Sequence, residues 1–411
     1  MVGFGVVSLA ADMVYEGARS VTGPLLGALG ASALVVGLVA GAGEGMSLLL
    51  RLAFGPLADR TGRYWSLTLA GYALTAVCVP LLALAPLLGG AGLAVACALI
   101  LIERAGKAVR SPAKSTLLAQ AAGAVGRGRG FAVHKALDQL GAFTGPLLVA
   151  ALIAATGVLW PALAVLAVPG GLAIGLLLWI RRRVPDPAVY DTDRTVPDAA
   201  TGRAAATPTV DSGPPKPAAR GGWLGAGLPG RFFLFAAAAG AATAGLVSFG
   251  IISFHASRTG VVSAAGVPVL YAGAMAAAAL AALASGYLYD RWNARVLFAL
   301  PLLAAAVPAL ALADTIGPVV TGALLWGAAV GVQDSTVKAL VADLVPAARR
   351  ATAYGVFAAV QGLAALAGGA VVGILYSRSV PALIVALAAT QLLALGLLAA
   401  TLPRRATAGT R

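Results

Sequence analysis

Long apolar stretches alternate with short polar connections along nearly all of the 411 residues. We distinguish twelve apolar runs, which cover residues 4–27, 31–54, 65–88, 91–115, 131–155, 161–181, 231–255, 267–288, 296–313, 317–342, 352–376 and 381–402. A helix of about 20 mainly apolar residues is long enough to cross a bilayer. The pattern therefore predicts an all-α integral membrane protein with 12 transmembrane helices.

Composition excludes the soluble classes of protein. The chain is 60% hydrophobic and 11% charged, whereas soluble domains carry about 25% charged residues. The net charge of +14 raises the possibility of nucleic-acid binding, but that function needs a dense basic face on a soluble domain. Here the basic residues lie between apolar runs, so we expect a lipid bilayer as the partner and no nucleic acid. Two cysteines, Cys78 and Cys97, both lie in apolar runs, and we expect free thiols.

Arginines follow every even-numbered run and fix the topology. They are Arg60, Arg63, Arg127, Arg129, Arg181, Arg182, Arg183, Arg291, Arg295, Arg349, Arg350, Arg404 and Arg405. The other loops carry few basic residues, with Arg258 and Arg378 as the main exceptions. Because cytoplasmic loops are enriched in Lys and Arg, we expect a multi-pass membrane protein with both termini in the cytoplasm.

One segment, residues 184–230, differs from the rest in holding eight prolines, mixed charge and few large apolar residues. This composition is typical of a disordered linker. The predicted organisation is an N-terminal six-helix bundle (1–183), a cytoplasmic linker (184–230), a C-terminal six-helix bundle (231–404) and a tail (405–411).

The two halves repeat one another. The segment 55–60, Gly-Pro-Leu-Ala-Asp-Arg, matches 286–291, Gly-Tyr-Leu-Tyr-Asp-Arg, and residues 131–145 align with 354–368. A duplicated unit predicts two pseudo-symmetric bundles with a binding cavity between them, near the middle of the membrane.

The string Gly55-x-Leu57-Ala58-Asp59-Arg60-x-Gly62-Arg63 resembles the signature between spans two and three of the major facilitator superfamily. Tyr64-Trp65 departs from that pattern, which usually continues with bases. The resemblance implies a gating latch that holds one conformation shut and breaks in the other. Its candidate residues are Gly55, Asp59, Arg60, Gly62, Arg63, Asp290 and Arg291. The alternative is a tight turn with solvated charges.

Ionisable residues inside the apolar runs are costly unless they are paired or face water, and they mark candidate functional sites. The candidates for proton coupling or substrate binding are Asp12, Glu16, Arg19, Glu44, Glu103, Lys107, Arg110, Asp138, Asp334, Lys338 and Gln361. Asp12, Glu16 and Arg19 follow an i, i+4, i+7 spacing, and so do Glu103, Lys107 and Arg110, which places each set on one helical stripe. Arg104 lies about a quarter-turn away from its stripe.

In the resembled fold, spans one and four face each other, so the acids of one would neutralise the bases of the other. A mechanism in which Asp12 and Glu44 carry the proton or the cargo charge, with Arg110 as the switching counter-ion, is one interpretation. A static salt-bridge network that stabilises the bundle is the other.

Gly141-x-x-x-Gly145-Pro146 resembles the span-five motif of proton-driven antiporters, except that Val149 stands where a further Gly is usual. We therefore expect a monomeric secondary active transporter that couples protons to the efflux of a small organic or drug-like compound. Two alternatives stay open. One is uptake or exchange of an anionic metabolite bound by Lys107, Arg110 and Lys114, and the other is a non-transporting sensor or assembly protein.

Motifs of enzymatic chemistry are missing from the sequence. There is no Walker loop, no H-E-x-x-H and no G-x-S-x-G. Histidine and cysteine are too few for a soft-metal site. We expect no enzyme activity, no cofactor and no bound metal.

Overall fold

The computed structural model describes residues 2–122, 127–186, 189, 228–346 and 349–401, and within these ranges the chain is helical with no strand. The predicted linker and tail lie largely outside the described residues. Fifteen α-helices follow in order: α1 (Val2–Ser20), α2 (Thr22–Ala28), α3 (Ala33–Thr61), α4 (Tyr64–Leu81), α5 (Gly92–Ala122), α6 (Arg127–Thr156), α7 (Trp160–Val165), α8 (Ala167–Arg183), α9 (Gly230–Ala244), α10 (Phe249–Thr259), α11 (Gly266–Trp292), α12 (Ala299–Ala311), α13 (Ile316–Leu344), α14 (Arg350–Arg378) and α15 (Val380–Thr401).

Each of the twelve apolar runs coincides with one of these helices or with two consecutive shorter ones. In the described part of the chain, nine helical stretches are long and apolar enough to cross a membrane. Two of the nine, Tyr64–Ala121 and Gly266–Ala311, hold 58 and 46 residues and each covers two runs. The chain is therefore an all-helical, multi-pass membrane protein.

Local backbone geometry explains where the long stretches are divided. Leu82–Ala91 and Asn293–Phe298 are 3₁₀ segments between α4 and α5 and between α11 and α12. Gly89 and Asn293 both have a φ of +51°, a left-handed value that Gly adopts freely and Asn more readily than most residues. These two residues turn the chain where one run ends and the next begins.

Helix packing inside the two halves follows one plan. In the first half, α1 packs against α6 and α8, α5 against α3 and α4, and α4 against α8. In the second half, α9 packs against α14 and α15, α13 against α11 and α12, and α12 against α15. Each pair in one half has its counterpart in the other, so the halves are two pseudo-symmetric helical bundles.

Glycines allow the closest of these helix contacts. A Cβ atom added at Gly141 or Gly145 of α6 would collide with the backbone of α1, and one added at Gly368 of α14 would collide with the backbone of α9. Small residues at such crossings let helix backbones approach closely in a bilayer. Although Pro146 follows Gly145, α6 runs as one helix through it.

The halves join mainly through three helix pairs, α3 with α14, α6 with α11 and α2 with α10. The largest hydrophobic cluster includes Val21 and Leu25 of the first half together with Phe249 and Phe254 of the second. This cluster fills one end of the molecule, which we call the closed end. At the opposite end, the terminal end, each half has its own cluster, with no member from the other half among the described residues.

Candidate functional site

Charged side chains from four helices of the first half, α1, α3, α5 and α6, lie inside the bundle. Glu16 on α1 and Glu103, Arg104 and Arg110 on α5 are each at most 8% exposed. Burying a charge is costly unless partners compensate for it. The positions of those partners therefore determine what the site can do.

Tyr15 is the centre of one group, the Tyr15 subsite, formed by Tyr15, Arg104 and Lys107. The ring of Tyr15 is buried, and the Lys107 Nζ lies 3.7 Å from its centroid. The Arg104 Cζ lies 4.5 Å from the same centroid. Both distances are within the range of cation–π attraction. Spans one and four were expected to face each other. Here two basic side chains of α5 contact an aromatic ring of α1.

Arg19 and Glu44 form a partly exposed ion pair. The Arg19 Nη2 donates to the Glu44 Oε1 at 2.7 Å, and the two side chains are 27% and 41% exposed. Asp334 of α13 lies close enough to Arg19 to interact with it electrostatically across the two halves. A charged pair inside an apolar bundle that keeps this much exposure borders a water-accessible space.

Arg110 makes its contacts on α4. Its Cζ lies 4.6 Å from the ring centroid of Tyr72, and its Nη1 donates to the Thr75 Oγ1 at 2.5 Å. The Thr75 hydroxyl in turn donates to the Glu103 Oε1 at 3.1 Å. The role considered for Arg110, a counter-ion for Asp12 or Glu44, stays a prediction, because in this conformation the guanidinium is engaged with Tyr72 and Thr75.

Two carboxyl groups meet between α1 and α6. Asp12 and Asp138 lie close enough to interact electrostatically. Asp138 accepts from the Ser8 Oγ and from the Lys135 Nζ, each at 2.8 Å. Two neighbouring carboxyl groups repel each other when both are ionised, which favours a proton on one of them. The pair is a group that can hold and release a proton.

A link between the halves was missed by the sequence reasoning. The hydroxyl of Tyr271 on α11 donates to the Glu16 Oε2 on α1. The Tyr271 ring packs edge-on against Phe249, with 4.5 Å between ring centroids, and lies near Trp326. Tyr271 sits in an apolar run with no polar neighbour to mark it, so only the fold identifies it as a partner of Glu16.

The second half contributes mainly neutral polar groups. The Gln333 Nε2 and the Gln361 Nε2 donate to the Thr243 Oγ1 at 3.3 and 3.4 Å. Asp334 is exposed, and the side chain of Lys338 lies outside the described residues. Within the described ranges, no group of three or more His, Cys, Asp or Glu side chains could hold a metal ion.

The loop between α3 and α4 lies at the terminal end. Gly62, with a φ of +61°, ends α3, and Asp59 accepts from the Tyr64 hydroxyl at 3.4 Å. Asp59, Arg60 and Arg63 are exposed, as are Asp290 and Arg291 in the matching loop. A Cβ at Gly55 would meet no atom within 4 Å. The described contacts of Asp59 stay within its own loop, so the gating latch remains a prediction.

Comparison with solved structures places the fold. The chain is similar to a variant of the nucleoside transporter NupG, with a TM-score of 0.75 and 14% identity, over 98% of this chain and 99% of the other. It is also similar to the xylose transporter XylE from E. coli in an inward-open conformation, with a TM-score of 0.69, 13% identity, and coverage of 98% and 97%. A bacterial homologue of the human lysosomal transporter Spinster, inward-facing and occupied, gives a TM-score of 0.64 at 16% identity, with coverage of 97% and 94%.

Sequence comparison gives nearer relatives. The uncharacterized protein Rv2265 of Mycobacterium tuberculosis is 52% identical over 403 residues, which cover 98% of this chain and 92% of that protein. The uncharacterized protein Mb2288 of Mycobacterium bovis matches to the same extent. The family profile described as Major Facilitator Superfamily matches residues 5–276 and again 232–411. With this match, the duplicated bundle and the transporter fold, the chain belongs to the Major Facilitator Superfamily of secondary transporters.

Proposed function

We propose that this protein is a proton-coupled antiporter that exports a small organic molecule across the bacterial cytoplasmic membrane. The observation that carries the proposal is the Asp12–Asp138 carboxyl pair. It lies between two helices of one bundle, the closeness of the two carboxyl groups favours a bound proton, and a lysine already occupies the second oxygen of Asp138. A shift of Lys135 or of α1 changes how strongly the pair holds that proton, which couples protonation to conformation.

The arrangement of the cores supports alternating access. A shared hydrophobic cluster joins the halves at the closed end, whereas the terminal end has two separate clusters. With the termini in the cytoplasm, as the arginine distribution predicts, the conformation is inward-facing. In the other state, the loop residues Asp59 and Arg60 would form the latch that closes the terminal end. The linker 184–230 then tethers two bundles that rock against each other, within one monomer.

Export, rather than uptake, follows from the likeness of Gly141, Gly145 and Pro146 to the span-five motif of antiporters. The two glycines, on α6, lie against Leu9 and Met13 of α1, close in sequence to Asp12. Packing at the motif and protonation of the pair therefore act on the same stretch of α1. Uptake or exchange of an anionic metabolite through the same fold is the alternative, distinguished by the direction of pH-driven flux in oriented vesicles.

The proton can be tested without knowing the cargo. Infrared difference spectra of the purified full-length protein between mildly acidic and mildly alkaline pH should show a protonated carboxyl band that disappears in Asp12→Asn. Asp314→Asn, which removes an exposed acid between α12 and α13, is the matched control and should keep the band. A spectrum in which Asp12→Asn retains the wild-type band would refute the assignment of the proton to this pair.

Transport itself is tested in proteoliposomes, with compounds first selected by thermal stabilisation of the wild-type protein. An imposed proton gradient should drive flux of a selected compound by the wild type and by Asp314→Asn, and not by Asp12→Asn. Normal pH-driven flux in a well-folded Asp12→Asn variant would contradict the proposed coupling.

A further inference from the structure

We infer that the Tyr15 subsite binds an anionic group, a carboxylate or a phosphate, of the transported molecule. The inference rests on the proposed transport function and names the chemical class of the cargo. Arg104 and Lys107 supply the hydrogen-bond donors, and the Tyr15 ring holds the two cations three residues apart on α5.

Arg104 has donors that the protein does not use. The residue is 8% exposed, and its Nη1 is buried with no hydrogen-bond partner among the residues that the structure describes. The Glu103 Oε2 lies 3.8 Å from the Arg104 Nε, which is beyond hydrogen-bonding distance. A guanidinium offers five N–H donors in a flat fork that matches a carboxylate or a phosphate. A buried fork with unpaired donors is a place where such a group gains hydrogen bonds.

Lys107 also has hydrogen-bond donors that are available to a ligand. Its Nζ faces the Tyr15 ring, and in the described part of the chain it has no carboxylate within ion-pair distance. The ring stabilises one side of the ammonium group, which leaves other N–H donors for a ligand. Between them, the two cations have one longer carboxylate contact among the described residues, the 3.8 Å contact of Arg104 with Glu103, and they can bind a further anionic group.

Nearby acids supply the counter-charge of these cations only in part, because each also accepts a hydrogen bond from another group. Glu16 accepts from the Tyr271 hydroxyl and Glu103 accepts from the Thr75 hydroxyl. They lower the local positive charge and so reduce the free-energy cost of burying the two cations. A cationic cargo would meet Arg104 and Lys107 first and be repelled, and a neutral one would leave their donors unpaired.

A small cavity adjoins the Tyr15 and Arg104 side of the subsite. A cavity of about 20 Å³, the size of a water molecule, is lined by Tyr15, Arg19, Glu103 and Arg104. Arg19 also borders open solvent through its 27% exposed side chain. An anionic group reaches the cavity past the Arg19–Glu44 pair and replaces the water that fits there.

The test measures thermal unfolding of the purified full-length protein with four probes of similar size: benzoate, phenyl phosphate, benzamide and benzylamine. Benzoate or phenyl phosphate should raise the melting temperature of the wild type at millimolar concentration, and benzamide and benzylamine should not. The response to each anion also shows whether the site prefers a carboxylate or a phosphate.

Variants locate the effect. Arg104→Gln and Lys107→Gln should each weaken the apparent affinity for the anion about tenfold or more, as expected for a lost charged hydrogen bond. Arg258→Gln is the matched control, because it removes an exposed arginine whose Cζ lies 5.9 Å from the Phe254 ring, far from the subsite. It should bind the anion as the wild type does. If Arg104→Gln does not yield a monodisperse protein, a comparison of Lys107→Gln with Lys107→Arg decides the question. Lys107→Arg should keep anion binding and Lys107→Gln should lose it.

The inference is overturned if no anion stabilises the wild type, if benzamide or benzylamine stabilises it equally, or if the glutamine variants bind as tightly as the wild type. Failure of the proposed function looks different. A protein that binds the anions selectively while Asp12→Asn keeps pH-driven flux has the subsite without the proposed proton pair, and the reverse result keeps the coupling and removes the subsite.

Discussion

Tyr271→Phe removes one hydroxyl and with it the hydrogen bond that joins α11 to Glu16 of α1 across the halves. Glu16 is 8% exposed, so its carboxyl oxygen is left buried without that donor. An unsatisfied buried acceptor costs about 1–3 kcal/mol. If the bond exists only in the conformation described above, the same free energy shifts the balance between conformations by about 5- to 150-fold.

Spin-label distances report that shift. Ser66 at the start of α4 and Trp292 at the end of α11 are exposed at the terminal end, and cysteines there can be labelled once Cys78 and Cys97 are replaced by alanine. In the wild type we expect one dominant long distance. In Tyr271→Phe, a shorter distance should gain population as the terminal end closes.

Tyr376→Phe is the matched control, since it also removes one tyrosine hydroxyl from a buried hydrogen bond. That hydroxyl lies 2.9 Å from the His255 Nδ1, and both residues belong to the second half. Its loss should lower the melting temperature without changing the label distances. A Tyr271→Phe protein with a lowered melting temperature and the wild-type distance distribution would refute the reasoning, because the bond would then be equally present in both conformations.

Three further substitutions test the packing and the polar network. Gly145→Leu places a side chain against the backbone of α1 and should abolish well-folded expression, whereas Gly175→Leu, where a Cβ meets no atom within 4 Å, should behave as the wild type in size-exclusion chromatography. Thr75→Val removes the hydroxyl that lies between the Arg110 guanidinium and the Glu103 carboxyl group, and it should lower the free energy of unfolding by about 1–3 kcal/mol in a thermal-unfolding assay. Thr321→Val loses a hydrogen bond to a backbone carbonyl on an exposed turn of helix, and it should cost under about 1 kcal/mol in that assay. Gly62→Ala puts a side chain on a φ of +61° and should cost about 1 kcal/mol, and an unchanged melting temperature would show that the loop relaxes.

The membrane helices could be predicted because the bilayer imposes length and hydrophobicity on the sequence. The breaks inside runs 4–27, 161–181 and 231–255 could not, because the hydrophobic pattern does not mark where α1 passes into α2, α7 into α8 or α9 into α10. The stripe of Asp12, Glu16 and Arg19 was equally predictable, because helical spacing alone places these side chains on one face.

Partners across helices were beyond the sequence. Tyr271 and Thr75 lie in apolar runs, and nothing local marks the residues they bind. Arg104 lies a quarter-turn from the stripe of Glu103, Lys107 and Arg110, yet the structure places it beside Lys107 on the Tyr15 ring. The signal that was available is its i, i+3 relation to Lys107, which puts the two side chains on neighbouring positions of α5.

A single helix connects the parts of the proposed mechanism. Over two turns, four side chains of α1 contact four different helices. Asp12 lies against α6 and Tyr15 against α5. Glu16 lies against α11 and Arg19 against α3. A proton on the carboxyl pair, a cargo anion on the α5 bases and the closure of the halves are therefore three events at the surface of one rigid element. A helix moves as a unit, so a displacement that favours one of its contacts changes the others. Under the proposed function, this shared helix is the physical reason why proton release and cargo movement are coupled. The coupling does not require a chain of contacts that extends further through the bundle.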